Sequence, residues 1–285
     1  MLGSGDERSM TEYEFNAPKF PDLENETELT DWEVFRNHRE IVSSFIIRSL
    51  SPDAETLCVL GAGKCNDLEL PQLAREFSKI TLVDILDRDI DIGLRQQQQS
   101  NSEIFETITN CDVTGIHQLL SNFKKESSDK KLEEINETLI NFNPPIGKYD
   151  CVTSTCLLSQ LLCHATECIG EDHPEFIDFL QLVRRRHIEI MLNAINDHGV
   201  GILVTDFVSS LSLPELLTTN NLQETLQLAI HEKNFLHGLN PAMVAKVFDH
   251  ANMRPHLKGI RITDPWRWAL PDRMYACFAI IFQKN

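Results

Sequence analysis

No apolar run in this chain approaches the roughly 18 residues that a membrane-crossing helix needs. Residues 1–6 show no basic stretch leading into an apolar one, so no secretory signal peptide is expected either. Positive charge is scarce: 26 Lys and Arg stand against 43 Asp and Glu, a formal net charge of −17. Such a surface repels phosphate backbones and counts against a nucleic-acid partner. It suits a small molecule, cationic ones included, or a basic protein. The one compact basic cluster, Arg184-Arg185-Arg186, lies in a long helical pattern and reads as a solvated helix face. Paired Cys-x2-Cys spacing is also missing. The eight cysteines fall mostly in predicted strands and helices, which fits reduced thiols in the cytoplasm better than a disulfide framework. In a helix, Cys156 and Cys163 would share one face while His164 and Cys168 share another, so no metal is expected there. With 42% hydrophobic and 24% charged residues the composition is that of a globular protein. The length allows one domain with a sizeable core.

What is present is one organised stretch. Leu57-Cys58-Val59-Leu60 reads as a buried parallel strand and breaks into Gly61-Ala62-Gly63. Glycines there let the chain turn sharply and let a ligand approach the backbone. Asn66 or Asp67 is expected to cap a helix beginning near residue 68. A second apolar run, Thr81-Leu82-Val83, ends on Asp84, where a carboxylate can accept hydrogen bonds from both hydroxyls of a ribose. A P-loop is excluded because Cys58 stands in place of its first glycine and Cys65 in place of its magnesium-binding hydroxyl. A dinucleotide fingerprint fails at Asn66, where the third glycine belongs. A nucleoside cofactor with no phosphate to cradle remains, and S-adenosylmethionine fits that description.

On these residues the chain resembles the class I, Rossmann-like S-adenosylmethionine-dependent methyltransferases, over roughly residues 30–285. The resemblance implies that Gly61, Ala62 and Gly63 pass under the methionine part of the cofactor. Asp84, with its neighbour Ile85, would hold the ribose. Asp112 and Val113, in Asn110-Cys111-Asp112-Val113-Thr114-Gly115, would meet the adenine. Tyr149-Asp150-Cys151-Val152 would be strand four, with Ser154, Thr155 and Cys156 lining the wall between cofactor and acceptor. S-adenosylhomocysteine would be the product. The fold implied is an α/β three-layer sandwich around a mostly parallel seven-stranded sheet with an antiparallel C-terminal strand. The Asn/Asp-Pro-Pro-Tyr/Phe motif of amino methylation is missing after strand four; Asn143-Pro144-Pro145 precedes that strand and reads as a loop.

Residues 1–30 read as a polar tail and 31–285 as the methyltransferase domain. Thr30 is expected to cap a helix to about Leu50 whose apolar positions are Trp32, Phe35, Ile41, Phe45 and Ile46, packing on the sheet; the resemblance also leaves open that Trp32, Phe35 and Arg36 close over the cofactor. Strands are predicted at 56–60, 79–84, 104–109, 149–154 and 200–206. Helices are predicted near 67–77, 87–99, 131–142, 174–197 and 240–252. Residues 121–131 read as a charged loop. Apolar runs at 256–262 and 274–282 read as a terminal antiparallel hairpin with a long Pro-punctuated connection. The insert 207–240 is a candidate substrate lid containing a helix.

Methyl transfer needs in-line positioning and dryness more than it needs a base, so catalytic residues are harder to read. Candidates are Asp206 at a strand tip, His231 and His237. Gln160, Trp266 and Trp268 are candidates for contact with the acceptor. The expectation is a cytoplasmic enzyme that transfers a methyl group to oxygen or nitrogen of a small molecule. A protein methyltransferase, or a relative that has lost catalysis and serves as a binding or regulatory protein, stays open.

Overall fold

The computed structural model describes residues 32–125 and 128–285. The strands are β1 (Thr56–Leu60), β2 (Lys79–Val83), β3 (Phe105–Ile108), β4 (Tyr149–Thr155), β5 (Ile195–Ser209), β6 (Leu257–Ile262), β7 (Trp266–Ala269) and β8 (Met274–Lys284). The helices are α1 (Arg36–Ser49), α2 (Leu70–Leu73), α3 (Asp87–Gln96), α4 (His117–Lys125), α5 (Asp129–Asn141), α6 (Leu157–Ile169), α7 (Phe176–Ala194), α8 (Leu222–His231) and α9 (Pro241–Lys246).

One sheet runs in the order β3-β2-β1-β4-β5-β8-β6, with β7 paired on β8. Strands β1 to β5 are parallel, and β8 enters antiparallel between β5 and β6. Helices cover both faces, giving the Rossmann-like three-layer α/β sandwich. Alternation along β1 shows the two-sided burial of a central parallel strand: Leu57 and Val59 enter the core under α1, α2 and α3, whereas Cys58 and Leu60 enter the core under α4 to α7. These four side chains are fully buried, each contributing about 2 kcal/mol of transfer free energy. At Gly201 a Cβ would lie 2.1 Å from Cζ of Phe282, so the ring of β8 fills the space that a side chain on β5 would need.

The structure corrects the sequence reading in several places. The sheet has eight strands rather than seven. The Pro-punctuated connection contains β7, which pairs with β8 from Trp266↔Cys277 to Ala269↔Met274. Residues 121–125 and 129–131 are helical in α4 and α5, not loop. The predicted helix at 67–77 shrinks to α2, whose N-cap is Glu69 without a side-chain cap. Asn66 and Asp67 lie in the turn before it. The triple arginine is no solvated face: Arg184 and Arg186 are buried. Arg186 donates to the carbonyls of Leu139 (2.9 Å) and Phe142 (3.1 Å), answering the unpaired carbonyls at the end of α5. Arg184 donates to the Gly238 carbonyl at 2.7 Å. Thr30 and the polar tail lie outside the described residues.

Candidate active site

The turn after β1 is built by its neighbours. Gly61 and Ala62 donate to the Val83 carbonyl at 2.9 and 3.0 Å, clipping the turn to the end of β2. Gly61 sits at φ +70°, and a Cβ there would lie 2.9 Å from Leu157 on α6. Gly63 sits at φ +47° and a Cβ there would meet nothing within 4 Å. Conformation therefore demands both glycines, packing adds to the demand at the first, and the second has open space beside it. Asp84 joins the two strand tips: one carboxylate oxygen accepts from Gly63 N at 2.8 Å, the other from Leu86 N at 2.9 Å.

Two residues that sequence reasoning did not single out hold this turn in place. The buried Gln97 side chain accepts from Leu70 N (2.8 Å) and donates to the carbonyls of Cys65 and Leu68 (3.0 Å each). Gly93 on α3 lets the helix approach so closely that a Cβ would lie 2.3 Å from the Lys64 carbonyl oxygen. A lone glycine inside a helical pattern was the available signal for the second. The first was hidden in a run of four glutamines.

The start of helix α1 lies over the carboxyl ends of the strands. Arg39, buried, donates to Glu69 Oε1 at 2.6 Å, to the Trp32 carbonyl at 2.9 Å and to the Asn66 carbonyl at 3.4 Å. Its guanidinium lies 3.3 Å over the Trp32 ring centroid. His38, the residue before it, stacks on Trp268 with ring centroids 4.6 Å apart and accepts at Nδ1 from Trp266 Nε1 at 3.1 Å. Its Nε2 faces Asp67 Oδ1 at 3.4 Å. The two tryptophans of β7 thus pack against α1, and Phe35 joins Trp268 edge-on at 5.2 Å. His38 was not singled out from the sequence, because its partners come from residues 67 and 266.

Beneath this roof sit Cys156, at φ +53° just before α6, and Asp206, near the end of β5. Both are buried. The neighbouring Cys277 thiol, and then burial, push the Cys156 thiol well up, so it stays protonated. Burial raises the Asp206 carboxyl, although the Ser159 hydroxyl that donates to its Oδ1 works the other way. Among the buried polar atoms here, Asn66 Oδ1 and Trp268 Nε1 have no hydrogen-bond partner, and His38 Nε2 and Asp67 Oδ1 have only each other, at 3.4 Å.

The remaining expected site residues separate. Ala62 and Thr155 are buried at strand tips, Val113 is buried in the loop between β3 and α4, and Ile85 is half-buried beside Asp84. Asp112 is spent on local structure: one oxygen accepts from Thr114 N and Oγ1, the other from His117 N at the start of α4. Ser154 faces the opposite side of the sheet, where its hydroxyl meets His187 Nε2 at 2.9 Å. Gln160 is exposed on the first turn of α6. His231 is exposed at the end of α8, and His237 is exposed beside Glu171 at 3.4 Å. Among the described residues neither histidine bonds to a strand-tip group. No group of three or more His, Cys, Asp or Glu among the described residues could hold a metal ion.

No protein-family model matches the sequence, and no curated protein matches it. Solved structures do. The N-methyltransferase NodS from Bradyrhizobium japonicum WM9 is similar with a TM-score of 0.47 and 10% identity, over 89% of this chain and 97% of that one. The magnesium protoporphyrin IX methyltransferase ChlM from Synechocystis PCC 6803, with bound S-adenosylhomocysteine, gives 0.46 and 12% over 93% and 90%. A methyltransferase from Methanosarcina mazei gives 0.45 and 13% over 84% and 96%. At such identities and scores these likenesses bear on neither the reaction nor the acceptor.

Proposed function

We propose that this chain binds S-adenosylmethionine at the carboxyl ends of β1, β2 and β4 and transfers its methyl group to oxygen or nitrogen of a small molecule. The observation that carries the reading is the pairing of Gly63 with Asp84. A glycine turn with open space beside it lies hydrogen-bonded to the carboxylate at the tip of the next strand. The pair joins the tips of β1 and β2, beside the β1–β4 junction where the strand order reverses, the place where open α/β sheets bind ligands.

The residues fit the cofactor. A side chain at position 63 would enter the space beside the turn. Asn66 Oδ1, three residues beyond Gly63, is buried without a partner, as a polar atom that awaits a polar ligand is. Gly61 and Gly63 would face the methionine end, Asp84 with Ile85 the ribose, and Asp112 and Val113 the adenine side. Thr155 and Cys156 would form the wall toward the acceptor. S-adenosylmethionine supplies a methyl group already activated on a sulfonium. The chain then has to bind, orient and exclude water. Its α1 roof of Phe35, His38 and Trp268 keeps the strand tips dry. Asp206 would be the carboxyl that holds or takes a proton from an acceptor. The acidic company of Asp67, Asp84 and Asp206 suits a cationic ligand. The insert 207–240 is tied to the sheet by Leu236 N donating to the Phe207 carbonyl at 2.8 Å, which supports a role in closing the acceptor side. Eight free thiols support a reducing compartment such as the cytoplasm.

One observation favours a second reading, a methyltransferase-like binding or regulatory protein without catalysis. Both Asp84 oxygens and both Asp112 oxygens already have partners. Calorimetric titration with S-adenosylmethionine and S-adenosylhomocysteine, beside an Asp84→Ala variant, tests both. Micromolar binding that the variant loses is expected. A folded wild-type protein that binds neither ligand sinks the enzyme reading. Transfer of labelled methyl to metabolite pools rather than protein pools then separates small-molecule from protein acceptors.

A further inference from the structure

The amino ends of the strands lie opposite the glycine turn, and an open cavity of about 400 Å³ sits there. Its walls come from the end of α1 (Arg48, Ser49), the start of β4 (Asp150), His198 in β5 and β6 (Lys258, Gly259, Arg261). A space of this size matches a small-molecule site and is far larger than a single water needs.

Charge is its informative property. Acids outnumber bases by 43 to 26 in this chain, so a cation on the surface has acids to choose from. Arg48, Lys258 and Arg261 nonetheless converge on one cavity with no ion pair or hydrogen bond among the described residues. Arg48 lies in the last turn of α1, where the helix dipole favours a cation. Nothing comparable answers Lys258 or Arg261. The one acid in the lining is committed elsewhere. Asp150 accepts from Glu55 N (3.0 Å), Thr56 N (3.0 Å), Thr56 Oγ1 (2.8 Å) and Asn196 Nδ2 (2.8 Å). Asp197, beside His198, is taken by Lys284 at 3.5 Å.

The backbone shapes the space. The β6–β8 register runs from Leu257↔Lys284 to Gly259↔Gln283 and skips Lys258. A bulge of this kind re-aims a side chain, and here the re-aimed residue is a cation in the cavity wall. Next to it, a Cβ on Gly259 would meet nothing within 4 Å. The Ser49 hydroxyl in the same wall is buried without a partner.

We propose that this cleft binds a small molecule carrying two or more phosphate groups, at a second site distinct from the strand tips. Arginine presents a planar fork that matches phosphate oxygens, and lysine adds a point charge. Three cations around a space larger than one phosphate call for a second anionic group on the same ligand.

Calorimetric titration of the full chain with pyrophosphate and with fructose 1,6-bisphosphate tests this, with inorganic phosphate as the single-anion control. None of the three carries an adenosine, so none competes for a nucleoside site. Binding of the two diphosphorylated probes is expected, tighter than phosphate and weakening as salt is raised. Lys258→Glu and Arg261→Glu should each weaken it about tenfold or more, as loss of a charge-assisted contact does. Gly259→Leu should block it by filling the space, with folding checked by circular dichroism and melting. Asp84→Ala should bind as the wild type does. No binding of either diphosphorylated probe by folded protein overturns the proposal. So does binding that all three cleft variants leave unchanged, or binding of phosphate as tight as that of the diphosphorylated probes.

Discussion

His38 and His187 are buried to the same depth, 1% and 0% exposed, under opposite faces of one sheet. Their neighbours differ completely. His187, on α7, meets only the Ser154 hydroxyl at Nε2, and its Nδ1 has no partner. Burial then acts alone and pushes the imidazole down to about 4. On His38 burial pulls the same way, but the Asp67 carboxylate and the Cys156 thiol outweigh it and raise the imidazole to about 9. The indole N–H of Trp266 restrains that rise, because it can only donate and needs Nδ1 bare. Depth therefore does not set the charge of a buried histidine; the groups buried with it do. The difference also marks function. The surroundings of His187 and Ser154 hold no charged partner for the ring, whereas the strand tips under the start of α1 gather carboxylates and thiols, the company that suits the proposed cationic ligand.

Acid should break the comparison most strongly. Between about pH 6.5 and pH 4 the unfolded chain takes up a proton on residue 187 that the folded protein refuses. Stability from this residue is thus complete above pH 6.5 and falls as the pH drops toward 4, by at most about 3 kcal/mol. A His187→Gln variant should lose that slope. Urea unfolding at a series of pH values, read as the difference between variant and wild type, isolates it from the carboxylates. Parallel curves for the two proteins would mean that His187 ionises inside the fold.

These two histidines also mark where sequence reading runs out. Strands β1, β2, β4 and β5 were legible because parallel central strands are apolar on both faces, and the glycine turn with Asp84 was legible because its parts lie close in sequence. The antiparallel entry of β8 followed from two apolar runs at the end of the chain. The helix of residues 36–49 was visible as a pattern. That His38 meets Trp266 was not, since 228 residues separate them. Strand β7 escaped because a four-residue run between prolines looks like connection. The arginines of α7 were misread because periodicity does not say which side chains will find the bare carbonyls of a neighbouring helix. Ser154 was placed on the cofactor wall by resemblance, whereas the strict alternation of β4 turns it toward His187. Asp112 was assigned to a ligand, and its nearest demand is the first turn of α4.

Removing the carboxylate from the His38 side should sharpen the contrast at moderate cost. A raised imidazole contributes stability below its unfolded value near 6.5, and that contribution is lost as the pH climbs through the folded value. Asp67→Asn should therefore cost about 1.5 kcal/mol below pH 6.5, the range of a hydrogen bond to a charged group, and little at alkaline pH. Unfolding measured at both ends of that range checks the sign. A cost that is larger at alkaline pH would show that Asp67 does not support a protonated ring.

The smallest effect on stability, and the most direct view of the proton, should come from Trp266→Phe. The substitution keeps an aromatic ring against Phe45, which packs on Trp266 at 5.5 Å. It removes the one donor that requires Nδ1 to be bare. About 1 kcal/mol of hydrogen-bond stabilisation should be lost at alkaline pH, where the ring is neutral. Toward lower pH part of this loss should be recovered, because the freed Nδ1 can take a proton while Asp67 and Cys156 still favour the charge. The titration of the His38 ring, followed by nuclear magnetic resonance, should accordingly move to higher pH than in the wild type. The His187 titration, behind the sheet, should stay where it is. A His38 titration that stays fixed or moves down would mean that the indole does not govern which nitrogen carries the proton. The charge of the strand-tip face would then be set by Asp67 and Cys156 alone.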